Sequence, residues 1–308
     1  RDETVDRAVF TRCRDAGINL FDCADVYQEG ESERALGRLM AGCRDELVIA
    51  TKAYFPTGPG VNDQGSSRYH LVRAVEASLR RLDTDRIDLF YLHRFDDHAD
   101  LASSLRAVED LVRQGKVLYL GFSNFAAWQV QQALGVAALQ RLSPGVAIQP
   151  MYNLAKRQVE SEILPMAAAN RLAVFPYSPL GGGLLAGRYG VDERPDSGRL
   201  LDVAMYATRY GDAYNYQLAE AFRQAASDRG VHPVTLAVAW VASHPQVTAP
   251  LLGARDVAQL EPALAAAEHP LDPTDRAAIT ALSRDPAPAT DRNEEATAST
   301  YSNRLLKK

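Results

Sequence analysis

Long apolar runs are missing from this 308-residue chain: no stretch approaches the roughly 20 residues that a membrane-spanning helix needs. Cysteine is scarce, and Cys13, Cys23 and Cys43 form neither a CxxC pair nor a disulfide framework, so a reducing, cytoplasmic setting is expected. Positive charge is not in excess. With 34 Lys and Arg against 39 Asp and Glu, the formal net charge is −5, which leaves no basic stripe for nucleic acid. Neither a membrane nor nucleic acid is an expected partner, and an oligomer is neither implied nor excluded. The histidines other than His93, namely His70, His98, His232, His244 and His269, show no ligand spacing, so no metal is assigned. The opening RDETVDRAVF has no initiator Met and no charged-then-apolar leader, and reads as the middle of something longer.

The composition is 46% hydrophobic and 24% charged, enough for a sizeable core without disulfides or metal. Seven short apolar runs are strand candidates: INLFD (18–22), LVIATK (47–52), IDLFYLH (87–93), VLYLGFS (117–123), VAIQP (146–150), LAVFPYS (172–178) and VTAPLLG (247–253). They are nearly continuously apolar, as strands covered on both faces are, and stretches of helical period such as YHLVRAVEASLRRL (69–82) lie between them. Alternating β and α reads as an α/β fold. A closed barrel needs an eighth strand, and helix-like DETVDRAVFTRCRDAG precedes the first candidate, so a strand before Arg1 is expected to be absent from the chain as given. An open doubly wound sheet could use seven, so the count alone does not decide topology.

Polar residues cluster where these strands end, and in a barrel such ends converge on one mouth. Asp22 closes the first run, Tyr27 follows in its loop, Lys52 ends the second and His93 ends the third. A Lys and an Asp at strand ends are each costly to desolvate alone, whereas a pair offsets that cost and sets a fixed cation beside a phenol. Tyrosine is a weak acid, with a pKa of about 10, and a nearby ammonium should lower it toward the range of a useful proton donor. His93 can donate to the same acceptor oxygen. Hydride addition to a carbonyl is the reaction these groups suit.

At these four residues, in DCADVY, ATK and YLHR, the chain resembles the aldo-keto reductases. The resemblance runs on through EASLRRLDTDRIDLFYLHRFD, GKVLYLGFSNF, IQPMYNL, YSPLGGGLLAGRY and LLGARDVAQL. It implies a (β/α)8 TIM barrel, here without its first strand and N-terminal hairpin, as one domain over 1–308 with a mobile tail from about 285. It implies Tyr27 as general acid, Lys52 as its activator, Asp22 as the partner of Lys52 and His93 as the group that orients a small carbonyl substrate. The same resemblance implies a nicotinamide cofactor whose carboxamide is held by Ser123, Asn124 and Gln149, with Tyr177 stacked on the ring. Ser178, Leu180 and Gly182 would meet the pyrophosphate, with charge from Arg188. Gly253, Arg255 and Gln259 of GARDVAQL would meet the adenosine end, where Arg255 favours NADP over NAD. Pro262 and Ala263 depart from the Glu-Asn common in the family, and Asp256 adds an unhelpful charge, so weaker adenosine binding is expected.

Plainer readings stand beside these. Gly181, Gly183 and Ala186 satisfy a loose GxGxxA, but Pro179 interrupts the turn and no strand with a terminal acid follows at the right distance, which argues against a Rossmann dehydrogenase. Cys23 reads as packing. The stretch 191–216, before a helix expected near Gln217, is long enough to close over cofactor or substrate. The competing function is a cofactor-binding regulatory subunit like the channel β-subunits that the chain also resembles, against which His93 speaks.

Overall fold

The computed structural model describes residues 2–290, so the greater part of the tail expected from about 285 lies outside the described residues. The chain divides into two compact units. The first takes residues 1–150, 171–175 and 251–264. It alternates strand and helix: α1 (Glu3–Asp15), β1 (Leu20–Asp22), α2 (Glu31–Leu39), β2 (Val48–Ala53), α3 (Arg68–Leu82), β3 (Ile87–Leu92), α4 (Leu101–Arg113), β4 (Val117–Ser123), α5 (Ala127–Gln140), β5 (Gly145–Gln149) and β6 (Ala173–Val174). Helix starts are written locally. The Asp2 carboxylate accepts from Thr4 N, Ser67 Oγ from His70 N and the Asp100 carboxylate from Ser103 N, each satisfying an otherwise orphaned first-turn amide.

All six strands are parallel and lie in the order β1-β2-β3-β4-β5-β6. A doubly wound sheet reverses its order at a switch point, and none exists among the described residues. The order is that of a singly wound α/β barrel, so the Rossmann alternative falls. Register sets Lys52 beside Tyr91, Tyr91 beside Gly121, Gly121 beside Ala147 and Ala147 beside Ala173. That row sets two large side chains, Lys52 and Tyr91, against three small ones. A Cβ on Gly121 would stand 2.5 Å from Tyr91 Cε1, so the glycine is what admits the tyrosine ring. Ala50, Leu89, Tyr91 and Ala147 form one buried cluster on this face.

The seventh strand candidate, 247–253, joins no ladder among the described residues. Pro250 at its centre has no N–H to give one. It leads instead to α11 (Val257–Leu264). The sixth candidate is a strand only at Ala173–Val174, stopping short of Pro176.

The second unit is helical: α6 (Ile163–Ala169), α7 (Arg199–Asp202), α8 (Ala204–Tyr210), α9 (Ala213–Asp228), α10 (Pro233–Ala242) and α12 (Pro273–Thr280). The segment 191–216 thus carries two short helices, and the helix expected near Gln217 begins at Ala213, where Asp212 caps Tyr214 N at 2.8 Å. Its core joins Leu184, Tyr189, Leu200, Tyr210 and Ala219. No helix among the described residues is long and apolar enough to cross a membrane.

Candidate active site

Side chains two apart on a strand share a face, so the ladder register carries Asp22, Lys52, Ser123 and Gln149 to one side of the sheet at its C-terminal end. Lys52 is 0% exposed, and its Nζ reaches Asp22 Oδ2 at 2.5 Å and Cys23 O at 2.6 Å. Burial works against the ammonium, but the charge of Asp22 first, and that of an ionised Tyr27 after it, favour it, and the Lys52 pKa is raised. The cation is fixed. Asp22 is held in turn by Gln149 Nε2, which donates to Oδ1 at 2.8 Å.

Tyr27, 39% exposed, follows β1 on a turn closed by its N–H to Ala24 O, and Lys52 Nζ lies 5.0 Å from its ring centroid. The expected net lowering of its pKa does not occur. Burial raises it above the usual tyrosine range, and the pull of Lys52 recovers only part of that rise. The phenol therefore keeps its proton across neutral pH, while the ammonium stands ready for the phenolate. Cys23, its thiol pushed up to about 12 chiefly by burial, packs as a small apolar residue.

His93 follows β3, its N–H donating to Ala53 O at 3.1 Å. Its ring meets Tyr27 edge-on at 5.9 Å and Phe55 at 4.8 Å. Burial first, and the Lys52 charge second, push it down to about 3, so the imidazole is neutral at working pH and offers one N–H and one lone pair. Asn124, in a left-handed conformation at φ 55°, donates from Nδ2 to His93 O at 2.9 Å and to Ser123 Oγ at 3.1 Å, and Ser123 Oγ donates to Gln149 O at 3.0 Å. The residues implied for a carboxamide and those implied for the reaction are thus one network. Sequence reasoning missed Phe55, which follows the Lys52 strand, and Tyr91, whose place two residues before His93 was the available signal.

At α11, the Asp256 carboxylate, suspected as an unhelpful charge, caps Gln259 N at 2.8 Å, and Gln259 Oε1 accepts from Arg255 N at 2.8 Å. The Arg255 side chain is exposed, and a Cβ on Gly253 would meet open space. In the second unit, Ser178 (φ 57°) and Gly181 to Gly183 all have positive φ, and Asn153 Nδ2 donates to Ser178 O at 2.9 Å. Tyr177 pairs with Met151 in a parallel bridge, Leu180 is half-buried and Arg188 is exposed. Gly182 does not face open space: a Cβ there would stand 2.6 Å from Tyr206 Cδ1, with Leu200 beside it, so the 191–216 segment packs over this glycine.

A parallel α/β array in barrel order with a buried Lys–Asp pair beside a tyrosine at its strand ends defines the class. The family model described as Aldo/keto reductase family matches residues 2–284, and the chain belongs to that family. It is 34% identical over 266 residues to a probable voltage-gated potassium channel subunit beta of Arabidopsis thaliana, covering 83% of this chain and 79% of that one. It is 35% identical over 283 residues to an uncharacterized oxidoreductase of Bacillus subtilis (88% and 84%). To the L-glyceraldehyde 3-phosphate reductase of Escherichia coli it is 31% identical over 266 residues (83% and 76%). The family and the last two of these relatives place it among oxidoreductases.

Proposed function

We propose that this protein reduces a small aldehyde or ketone to an alcohol, with NADPH as reductant and Tyr27 as general acid. The observation that carries the reading is Lys52: a fully buried ammonium, locked to Asp22 and set against the Tyr27 ring. A buried ion pair is often no more stable than apolar residues in its place, so a Lys–Asp pair kept against the Tyr27 ring supports a role toward the phenol.

A bound reduced nicotinamide would supply the hydride to the carbonyl carbon. The donors and acceptors of Ser123, Asn124 and Gln149 fit a carboxamide, which needs both, and Arg255 suits a 2′-phosphate. The left-handed Ser178 and Gly183, with no Cβ contact at Gly183, suit close approach of a phosphate to backbone in the second unit. Tyr27 Oη gives its proton to the carbonyl oxygen as negative charge develops there, and Lys52 stabilises the phenolate left behind. Neutral His93 orients the oxygen with its ring N–H. The exposed edge of Tyr27 lets solvent return the proton.

The test is NADPH consumption by the purified chain with a panel of aldehydes and ketones. Wild type should turn over, and Tyr27→Phe should lose about 10²-fold or more in kcat, the usual worth of a positioned proton donor. Equal rates for the two proteins would end the assignment. If NADPH binds but no carbonyl is reduced, the reading suggested by the channel-subunit relative takes its place.

A further inference from the structure

Asp25 stands two residues before Tyr27 in DCADVY, and the proposed reaction makes no use of it. It is 2% exposed, and neither carboxyl oxygen has a hydrogen-bond partner. Its backbone N–H donates to Lys52 O at 3.0 Å, which ties the start of the loop to the end of β2. Behind it lies Glu33 of α2, fully buried, whose two oxygens accept from Thr51 Oγ1 and from Arg81 Nε, each at 2.6 Å. Arg81 also closes the far end of the loop. Gly30 takes φ 87°, and a Cβ there would stand 2.7 Å from Arg81 Cδ.

The loop 23–30 is therefore pinned at both ends, with an unpartnered acid between the pins. Buried polar groups are nearly always bonded, and a buried carboxylate with no donor is far costlier than a neutral acid. The charged groups that face Asp25 are Glu33 from α2, Arg81 from α3 and Lys52 from β2. Thr51 Oγ1 and Arg81 Nε are spent on Glu33 and Lys52 on Asp22, and the backbone N–H of Val26 and the remaining Arg81 N–H groups, though near, complete no hydrogen bond to the Asp25 carboxyl. Burial, and then Glu33, push Asp25 up to about 7.

We propose that Asp25 is a positioning residue for Tyr27, its carboxyl keeping the catalytic loop in place only while it carries a proton. This rests on the reading of Tyr27 as the proton donor. When the proton leaves, a second negative charge sits beside Glu33. It is relieved if Arg81 is drawn from Glu33 or if Asp25 turns out to water. Either move displaces the loop that carries Tyr27. Reduction then falls along an alkaline limb near neutrality, well below the pH at which Tyr27 itself would ionise.

The experiment is the pH profile of kcat/KM for wild type and Asp25→Asn, a neutral isostere. Wild type should lose about tenfold between pH 6 and 8.5, while the Asn variant holds its pH 6 rate across the range. Superimposable profiles would overturn the proposal. If the variant does not fold, the infrared carbonyl band of a protonated acid is followed in the wild type. A band that titrates near neutrality in step with activity supports the proposal, and the absence of one sinks it. Should no carbonyl be reduced at any pH, the reading of Tyr27 fails, and the same band still reports separately whether Asp25 is a buried neutral acid.

Discussion

Lys52 shows how much one side chain can be asked to do. Its three donors are spent on Asp22, on Cys23 O and toward the Tyr27 ring, inside a site that admits no water to its ammonium. Removing one member of a buried pair leaves the other uncompensated, so Lys52→Met should lose about 3 kcal/mol of stability as well as nearly all activity. Adding Asp22→Asn removes the stranded charge. The double variant should recover most of the stability in urea unfolding and none of the turnover. If the double is no more stable than the single, the loss belongs to packing and not to charge. The Lys–Asp pair was legible in the sequence because charges at the ends of apolar runs have no other use. Asp25 was not. Its neighbour Glu33 comes from the following helix and Arg81 from the one after, and no spacing rule brings an acid in a loop against two helices.

At the scale of elements, agreement follows how far local pattern and ladder coincide. The run 117–123 is β4 from end to end, because an apolar stretch flanked by Gly115 and Asn124 has nothing else to become. The runs 172–178 and 247–253 are as apolar, yet one keeps two residues of strand and the other none. Pro176 and Pro250 withhold the N–H groups that apolar character cannot replace. Register, invisible to composition, decides finer matters. Gly121 faces Tyr91 across β3 and β4, and Gly121→Ala would force a Cβ to within 2.5 Å of a buried ring. The ring is enclosed and cannot swing clear, so the substitution should cost about 1–3 kcal/mol, read as a lower urea midpoint at unchanged slope. Gly253→Ala, which meets nothing, is the matched control and should cost well under 1 kcal/mol.

Across the whole molecule, buried titrations of opposite sign are set against each other. His93, pushed down to about 3, is neutral in the folded chain, while the unfolded chain protonates it below about 6.5. Stability from this source is lost as pH falls, and His70 and His244, also lowered by burial, act in the same direction. Asp25 acts the other way. Its folded value of about 7 stands above the ordinary aspartate value of about 3.9, so between them the folded chain holds a proton that the unfolded chain has released. Stability from Asp25 is fully present below pH 4 and is lost as pH rises to 7. Asp25→Asn removes this loss. The stability difference between variant and wild type should therefore grow from pH 4 to pH 7, to about 4 kcal/mol at most, and stay constant above. Urea unfolding at pH 4, 5.5, 7 and 8 measures it. The histidines cancel from this difference, being common to both proteins, so a gap that is flat with pH would mean that Asp25 is ionised in the folded chain and that the acid behind Tyr27 carries its charge throughout.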